Sequence, residues 1–290
     1  TLDTVHRWTQ IIGKIRLEQG PWINHSWGSA LYVTPRGLTT SPIPYEACTF
    51  SIDLDFTSHT FRLTSSTGDE RRFALRPMSV ATFYEQTMGA LADLGLAVEI
   101  YPRPVEIPDP IQPFPEDDQH ASYDAEAMQR FWRALVQADR VFKTFRARFL
   151  GKVSPVHFFW GAFDLAVTRF SGRDAPPHPG GVPNCADWVM EEAYSQELSS
   201  AGFWPGTGLG EAAFYSYAYP EPEGYRDADV TPDAAYYLED LGEYVLPYEA
   251  VRSAAQPDDV LLTFLQTTYE AAAEHANWDR DDLEGTAEPN

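Results

Sequence analysis

The sequence predicts an α+β fold in which antiparallel sheets pack with helices, arranged as two lobes of one compact unit. Three observations support this prediction. Apolar and polar residues alternate over 50–76, as they do in half-buried antiparallel strands. In three other segments apolar residues recur every three to four positions, which is the period of an amphipathic helix. Helical and strand segments do not alternate along the chain, whereas a parallel βαβ fold requires that alternation.

The first hundred residues are predicted to form a helix, a group of strands and a second helix. An apolar stripe over 5–15 predicts the first helix. The alternation over 50–76 predicts antiparallel strands joined by tight turns. The second helix is predicted to run from Ser79, a typical N-cap residue, to Gly95, a residue type that commonly follows a helix end. Residues 98–101 are predicted to form a short strand.

Beyond residue 123, and apart from the segment 154–172, the chain is predicted to contain three helices, a strand and a hairpin. The longest helix covers 124–149, where large apolar side chains form one continuous stripe. A short helix is predicted over 187–200 and a final amphipathic helix over 257–275. The alternating tyrosines over 215–219 predict a strand with one aromatic face. Two short apolar runs within 236–246 predict a hairpin.

Composition along the chain predicts where the lobes begin and end. Residues 1–101 are predicted to form an N-terminal α+β lobe. Residues 102–123 are rich in proline and acids, which predicts a connector, since proline disfavours helix interiors and central strands. Residues 124–278 are predicted to form a helical and antiparallel lobe that carries the candidate pocket. Residues 279–290 are predicted to be a frayed acidic tail.

The overall composition excludes several functional classes. With 43% hydrophobic and 14% aromatic residues, the 290-residue chain has enough apolar surface for a large core. A net charge of −22 disfavours nucleic acid and anionic membranes as partners, because both require a cationic surface. The two cysteines, Cys48 and Cys185, form neither a disulfide framework nor a zinc pattern. Without a signal peptide or a long apolar run, the chain is expected to be cytoplasmic.

The segment 154–172 is unusual because an apolar run carries a histidine, an aspartate and an arginine. Ser154 and Pro155 suit the start of a helix and Gly172 suits its end, so a helix is predicted. The many aromatic residues of the segment favour a strand, which remains the alternative.

On a helix, His157, Gly161 and Asp164 would lie along one face. His157 and Asp164 would then be about 10 Å apart, with room for a ligand above the glycine. A histidine and an aspartate at this spacing predict an acid–base pair, and we take both as candidate catalytic residues. The alternative is structural: His157 would bond a neighbouring loop, Asp164 would pair with an arginine, and the glycine would permit close packing.

The region around this segment is basic in an otherwise acidic chain. Residues 124–173 contain nine Lys and Arg residues against four Asp and Glu residues. Either acidic parts of the protein pair with these cations, or the cations face a cleft that attracts a small anion such as a carboxylate or phosphate. Under the second alternative, Arg169 is the candidate anion clamp.

Further candidate binding residues are aromatic. Trp160, Trp204 and His25 are predicted to line the pocket, and His178, on a proline- and glycine-rich loop, is predicted to cover it. A metal site would have to combine distant residues, namely His157, Asp164, His178 and Glu197. No local spacing supports that site, so no metal ligand is assigned and no cofactor is indicated.

Five segments of the chain are distinctive: TQIIGKIRL (9–17), LTTSPIP (38–44), RALVQADRVFK (133–143), SPVHFFWG (154–161) and GFWPG (202–206). They resemble the corresponding segments of a family of bacterial proteins that carries a domain of unknown function. The resemblance spans nearly the whole chain. It implies a bacterial origin and one folded unit, and it implies no activity, cofactor or catalytic residue.

Two functional hypotheses from different classes follow. The first is an enzyme, or an enzyme-like pocket protein, that acts on a small anionic metabolite by His157 and Asp164 acid–base chemistry. The second is a non-catalytic binding or structural interaction protein, whose aromatic faces form the core and whose acidic surface provides solubility or docking. A metal-binding enzyme is a minor third alternative. The sequence predicts neither the reaction, nor the substrate, nor the oligomeric state.

Overall fold

The structure is a computed structural model that describes residues 1–207 and 209–285. Its internal contacts divide the chain into two compact units. The first unit consists of Thr1–Val136, Phe158–Phe163 and Gly180–Val189. The second unit consists of Gln137–His157, Asp164–Pro179 and Met190–Asn290. Helices and two six-stranded antiparallel sheets confirm the predicted α+β class.

The first unit contains a helix, a six-stranded sheet and further helical segments. Its strands pair in the order β1-β2-β4-β5-β6, and β3 pairs with β4. The elements are α1 (Leu2–Gln19), β1 (Tyr32–Thr34), β2 (Gly37–Thr39), β3 (Ile43–Tyr45), β4 (Cys48–Asp55), β5 (Thr60–Ser65), β6 (Glu70–Ala74), α2 (Val80–Asp93) and the first part of α3 (Ala125–Ala147).

Local sequence patterns account for most of these elements. The predicted first helix is confirmed, and its apolar stripe, including Trp8, is fully buried. The predicted strands over 50–76 are confirmed as β4, β5 and β6. Ser79 is the N-cap of α2 and accepts a hydrogen bond from a backbone N–H of its first turn, as predicted. Gly95 follows this helix with a left-handed backbone, for which glycine has no steric cost.

The strand predicted over 98–101 is wrong. The backbone N–H of Val98 bonds to the carbonyl of Leu96 instead of to a neighbouring strand. Two prolines, Pro102 and Pro104, follow immediately, and proline lacks the N–H group that would extend a strand ladder.

The second sheet has the strand order β11-β12-β10-β9-β8-β7, and its strands β8 to β12 belong to the second unit. In β7, His157 belongs to the second unit, and the two residues after it belong to the first. Helix α4 begins in the first unit and ends in the second. The elements are β7 (His157–Phe159), β8 (Asp164–Asp174), α4 (Asp187–Ala193), β9 (Gln196–Trp204), β10 (Ala213–Tyr219), β11 (Tyr236–Leu238), β12 (Glu243–Pro247), α5 (Tyr248–Arg252), α6 (Pro257–His275) and α7 (Arg280–Leu283).

The helix predicted over 154–172 is wrong, because the segment forms β7, a turn and β8. The N–H of Ser154 bonds to the carbonyl of Thr168, so this serine belongs to an extended pairing instead of a helix cap. β8 pairs with β9 from Leu165 to Phe170. Long-range pairing of an aromatic and β-branched run therefore outweighed the local start and stop signals.

The helix predicted over 187–200 is wrong in its second half. Only α4 is helical, and the chain continues as β9, in which Leu198 and Phe203 are buried. The helix predicted over 257–275, the tyrosine strand and the 236–246 hairpin are confirmed.

Within the predicted acidic tail, α7 is tied to the preceding helix. Arg280 pairs with Glu270 at 3.1 Å and with Glu274 at 2.8 Å, and it also binds Glu284. Residues 286–290 lie outside the described residues. No helix within the described residues is both long and apolar enough to cross a bilayer.

Candidate functional site

One face of the second sheet carries polar side chains, and we call it the tyrosine face. Side chains alternate between the two faces of a strand, and residues paired across strands share a face. The registers of β8, β9, β10 and β12 therefore place a defined set of side chains together. Its polar members are Asp164, Thr168, Ser200, Trp204, Tyr215, Tyr217, Tyr219 and Glu243, and the same registers add Gly202 and the apolar residues Ala166, Phe170, Leu198, Ala213, Val245 and Pro247.

A buried carboxylate and a tyrosine form the centre of the tyrosine face. Asp164, at the start of β8, is 6% exposed, and its carboxylate accepts a short hydrogen bond from the Tyr215 hydroxyl. Burial raises the pKa of Asp164 to about 6, although the hydrogen bond from Tyr215 opposes that rise. Burial and the nearby Asp164 charge raise the pKa of Tyr215 well above its ordinary value, so this hydroxyl keeps its proton.

Gly202 makes this contact possible. β9 lies between β8 and β10, so the Tyr215 side chain must cross β9 to reach Asp164. Gly202 is paired with Tyr215, and a methyl group on its Cα would collide with the tyrosine ring and hydroxyl. The absence of a side chain at this one position lets the ring lie across the middle strand.

A second carboxyl group lies on the same face. Glu243, the first residue of β12, is partly buried. Across the described residues, its carboxyl group makes no hydrogen bond to the protein. Burial, together with the negative charge of Asp164, raises the pKa of Glu243 to about 7. The charge of Glu243 also acts on Tyr215, so the tyrosine hydroxyl interacts electrostatically with both carboxyl groups.

Hydroxyl groups extend the polar surface away from the carboxyl groups. The hydroxyls of Tyr194 and Tyr217 are 2.8 Å apart, and those of Thr168 and Ser200 are 2.9 Å apart. The Tyr215 and Tyr217 rings stack with centroids 6.1 Å apart. Several hydroxyls thus share a face of the sheet with the two carboxyl groups and can donate or accept hydrogen bonds.

This arrangement of two carboxyl groups and a tyrosine hydroxyl is suited to proton transfer. Asp164 is ionised over a wider pH range than Glu243, because it accepts a hydrogen bond from Tyr215 and Glu243 accepts none from the described residues. Two carboxyl groups in different environments can take the roles of base and acid at one pH. The site therefore has the composition of an acid–base centre.

The structure does not bring His157 into hydrogen-bond contact with Asp164. Among the described residues, the side-chain hydrogen bond to Asp164 comes from Tyr215. The His157 ring is 0% exposed. The open space expected above Gly161 is filled, because the Glu106 carboxyl group occupies the position that a side chain there would take.

Arg169 lies on the opposite face of β8 from Asp164, since the two residues are five positions apart and side chains alternate along a regular strand. It is 1% exposed, and its guanidinium lies 3.5 Å from the ring centroid of Phe145 and 4.2 Å from that of Tyr269. It also donates a hydrogen bond to the Phe145 carbonyl, at 2.5 Å. These contacts occupy the guanidinium within the core.

The predicted aromatic lining residues are divided between the two units. Trp160 and His25 belong to the first unit, where both are buried and where the Trp160 indole donates a 2.8 Å hydrogen bond to the Ser29 carbonyl. Trp204, on the tyrosine face, belongs to the second unit. His178 also belongs there, and its ring lies 4.5 Å from that of Tyr194.

Most of the basic side chains in the region 124–173 have partners within the protein. Arg140 makes two hydrogen bonds to Asp258, at 2.6 and 2.7 Å. Arg173 pairs with Glu197 at 2.6 Å. These contacts match the alternative in which acidic groups pair with the cations.

The described residues contain no cluster of three or more His, Cys, Asp and Glu side chains arranged to hold a metal ion. Of the residues considered for a composite metal site, Glu197 binds Arg173 and Ser171. The Asp164 carboxylate is bonded to Tyr215.

A shallow depression lies elsewhere in the second unit. Its volume is about 300 Å³, and it is lined by Arg148, Asp259, Leu262, Thr263, Gln266 and Thr267. These residues belong to α6 and the segment after α3, and none of them belongs to the tyrosine face.

Sequence reasoning missed Tyr215 and Glu243 as site residues. The alternating tyrosines were a usable signal, because a strand with an aromatic face next to Gly202 leaves room for a ring to cross the sheet. Glu243 gave no local signal, since an acid after a hairpin turn is usually solvated.

Comparison of the chain with models of protein families finds a match. The model of a family described as "Family of unknown function (DUF5996)" matches residues 1–285. Neither the curated proteins nor the solved structures include a significant match.

Proposed function

Because the chain belongs to the Family of unknown function (DUF5996), we propose its function from its own geometry: acid–base catalysis on an uncharged or cationic, hydroxyl-bearing small molecule. Asp164 is the proton acceptor and Glu243 is the proton donor. Tyr215 orients the acceptor, and the remaining hydroxyls of the tyrosine face bind the polar groups of the substrate.

The observation that supports this proposal is the unequal pair of carboxyl groups. Asp164 and Glu243 share one face of the sheet, and each acquires a raised pKa from burial. Only Asp164 accepts a hydrogen bond from a described residue, and that donor is Tyr215. A purely structural site gains no stability from a carboxyl group that lacks a hydrogen bond and feels the charge of a second carboxylate, because this arrangement costs solvation free energy.

The roles of the two groups follow from their environments. The hydrogen bond from Tyr215 favours the ionised form of Asp164, so this group accepts a proton near neutral pH. Glu243 has the higher pKa of the two, about 7, so near neutral pH a large fraction of it retains a proton to donate. Positioned groups of this kind typically accelerate a reaction by about 10²- to 10⁴-fold each.

The class of ligand follows from the charges. None of the side chains that define the tyrosine face is basic, and the chain carries a net charge of −22. An anion would be repelled by Asp164, and Arg169 is held on the opposite face by aromatic rings. Hydroxyl groups or a cationic amine match a surface of carboxyl and tyrosine oxygens, and aromatic rings pack on the apolar face of such molecules.

A thermal-shift screen tests this proposal. The probes are neutral sugars and polyols, small amines, and small carboxylates and phosphates. We expect stabilisation by members of the first two groups, about 2.7 kcal/mol for a compound present at 100 times its Kd, and none by the anions. Asp164→Asn and Glu243→Gln should each abolish this stabilisation, because each removes one of the two carboxylates.

Glu221→Gln is the matched control. Glu221 also accepts a short hydrogen bond from a tyrosine, Tyr237, but it is paired with Arg226 at 2.8 Å and does not belong to the tyrosine face. This variant should keep the stabilisation of the unaltered protein. Stabilisation by anions alone, or stabilisation that survives in both Asp164→Asn and Glu243→Gln, contradicts the proposal.

A further inference from the structure

A buried lysine in the first unit lacks the counter-ion that such a residue normally has. Lys14 lies in the middle of α1 and is 6% exposed. Its ammonium lies 5.6 Å from the ring centroid of Tyr101 and 5.8 Å from that of Trp160. In the part of the chain that the structure describes, this ammonium makes no hydrogen bond and no ion pair.

Each of the other two lysines of the chain has a hydrogen-bond partner. Lys143 pairs with Asp139 at 2.6 Å, and Lys152 donates a 2.8 Å hydrogen bond to Gln196. Lysines are almost never buried without a partner, because desolvation of the charge is costly. Lys14 is therefore the exception among three residues of the same type, and its burial calls for an explanation.

The neighbouring groups give Lys14 no negative charge at neutral pH. The titratable group whose charge would act on it is the thiol of Cys185, which makes no disulfide. Burial and the Glu106 charge raise the pKa of the Cys185 thiol, so the thiol stays protonated and uncharged. Tyr101 and Trp160 offer only the faces of their rings.

This environment increases the fraction of Lys14 that is present as the neutral amine. Burial lowers the pKa of Lys14 to about 8, whereas an ordinary lysine has a pKa of about 10.4. A neutral amine is a nucleophile, and desolvated lysines are the ones that form Schiff bases with carbonyl compounds.

We propose that Lys14 is the amine of a covalent binding site for a small uncharged aldehyde or ketone. The amine nitrogen attacks the carbonyl carbon, a C–N bond forms, and the resulting carbinolamine loses water. The water carries the carbonyl oxygen and both amine hydrogens, and the imine nitrogen then takes one proton from solvent. Tyr101 and Trp160 stabilise this iminium cation with their ring faces.

The aromatic surroundings favour a carbonyl compound over an anion. The faces of aromatic rings carry negative potential, which attracts a cation and repels an anion. An anion next to Lys14 would lie against the ring faces of Tyr101 and Trp160 in a chain of net charge −22. The iminium keeps the positive charge between those rings, so the same contacts hold the product of the reaction. This site lies in the first unit and does not rest on the tyrosine face.

Reductive trapping on the full chain tests this proposal, with benzaldehyde as the probe and cyanoborohydride as the reductant. Mass spectrometry of the digest then gives the benzylated fraction of each lysine. At a pH of about 7.5 we expect Lys14 to be labelled at least about 10-fold faster than Lys143 and Lys152, because a larger fraction of its amine is neutral. The same reaction in urea should label all three at similar rates.

Two variants distinguish a binding site around Lys14 from an amine that is reactive without one. Tyr101 is 69% exposed, so Tyr101→Leu should leave folding intact and slow the labelling of Lys14 several-fold. Tyr236→Leu, at another exposed tyrosine, should leave the rate unchanged. Equal labelling of the three lysines in the folded protein, or a Lys14 rate that Tyr101→Leu does not change, overturns the proposal.

Discussion

Replacing Gly202 with alanine is expected to lower the free energy of unfolding by about 3 kcal/mol. The added methyl group would overlap the ring and hydroxyl of Tyr215, so the ring must leave its place across β9. That movement breaks the hydrogen bond to the Asp164 carboxylate, and a buried carboxylate without its donor is costly. Urea unfolding followed by far-ultraviolet circular dichroism measures the change.

Gly89→Ala is the control for this substitution. Gly89 lies in α2, where a methyl group would meet no atom within 4 Å, so alanine should be neutral or stabilising by up to about 1 kcal/mol. A Gly202→Ala protein as stable as the Gly89→Ala protein would show that Tyr215 does not need the space above Gly202. The hydrogen bond between Tyr215 and Asp164 would then not depend on the absence of a side chain at position 202.

Two substitutions of Arg169 that differ in shape are expected to change the free energy of unfolding by very different amounts. Arg169→Ala should cost about 4 kcal/mol, because it empties a fully enclosed position among Phe145, Phe149 and Tyr269. Arg169→Met keeps most of the buried stem and removes a charge that burial disfavours, so it should change the free energy of unfolding by less than about 1 kcal/mol. The same urea titration measures both.

These values distinguish a core arginine from an anion clamp. A clamp faces a ligand-binding space, so either substitution would leave stability nearly unchanged and would weaken anion binding. Arg140→Ala is the control, since Arg140 and its partner Asp258 are half exposed and such pairs contribute at most about 1 kcal/mol. If Arg169→Ala costs no more than Arg140→Ala, the core role is wrong.

The sequence predicted those parts of the fold that depend on local patterns. Helix α1 and strands β4 to β6 carry strong periodicity, and Ser79 and Gly95 mark the ends of α2 by their own chemistry. The prediction for the segment 154–172 was wrong because two sequence signals conflict there. Its start and stop residues suit a helix, but pairing of β8 with β9 decides the structure, and no local pattern reveals that pairing.

The candidate site was predictable only in part. Asp164 was identifiable as a charge within an apolar run, and the structure gives it a tyrosine partner 51 residues away. Glu243 can be recognised as a site residue only when the pairing of β12 with β10 is known. His157 was chosen because helical spacing would place it on the same face as Asp164, so the error in secondary structure led directly to the choice of partner.

The central claim is that Asp164 and Glu243 form an electrostatically linked pair of carboxyl groups. The most direct measurement is a carbon-13 NMR titration of the Glu243 side-chain carboxyl in the unaltered protein, in Asp164→Asn and in the Glu221→Gln control. We predict a midpoint at pH of about 7 in the unaltered protein and in the control. Asp164→Asn should lower the midpoint, because it removes the negative charge that disfavours ionisation of Glu243. A midpoint near the ordinary glutamate value of about 4.3, or one that Asp164→Asn leaves unchanged, would contradict the claim.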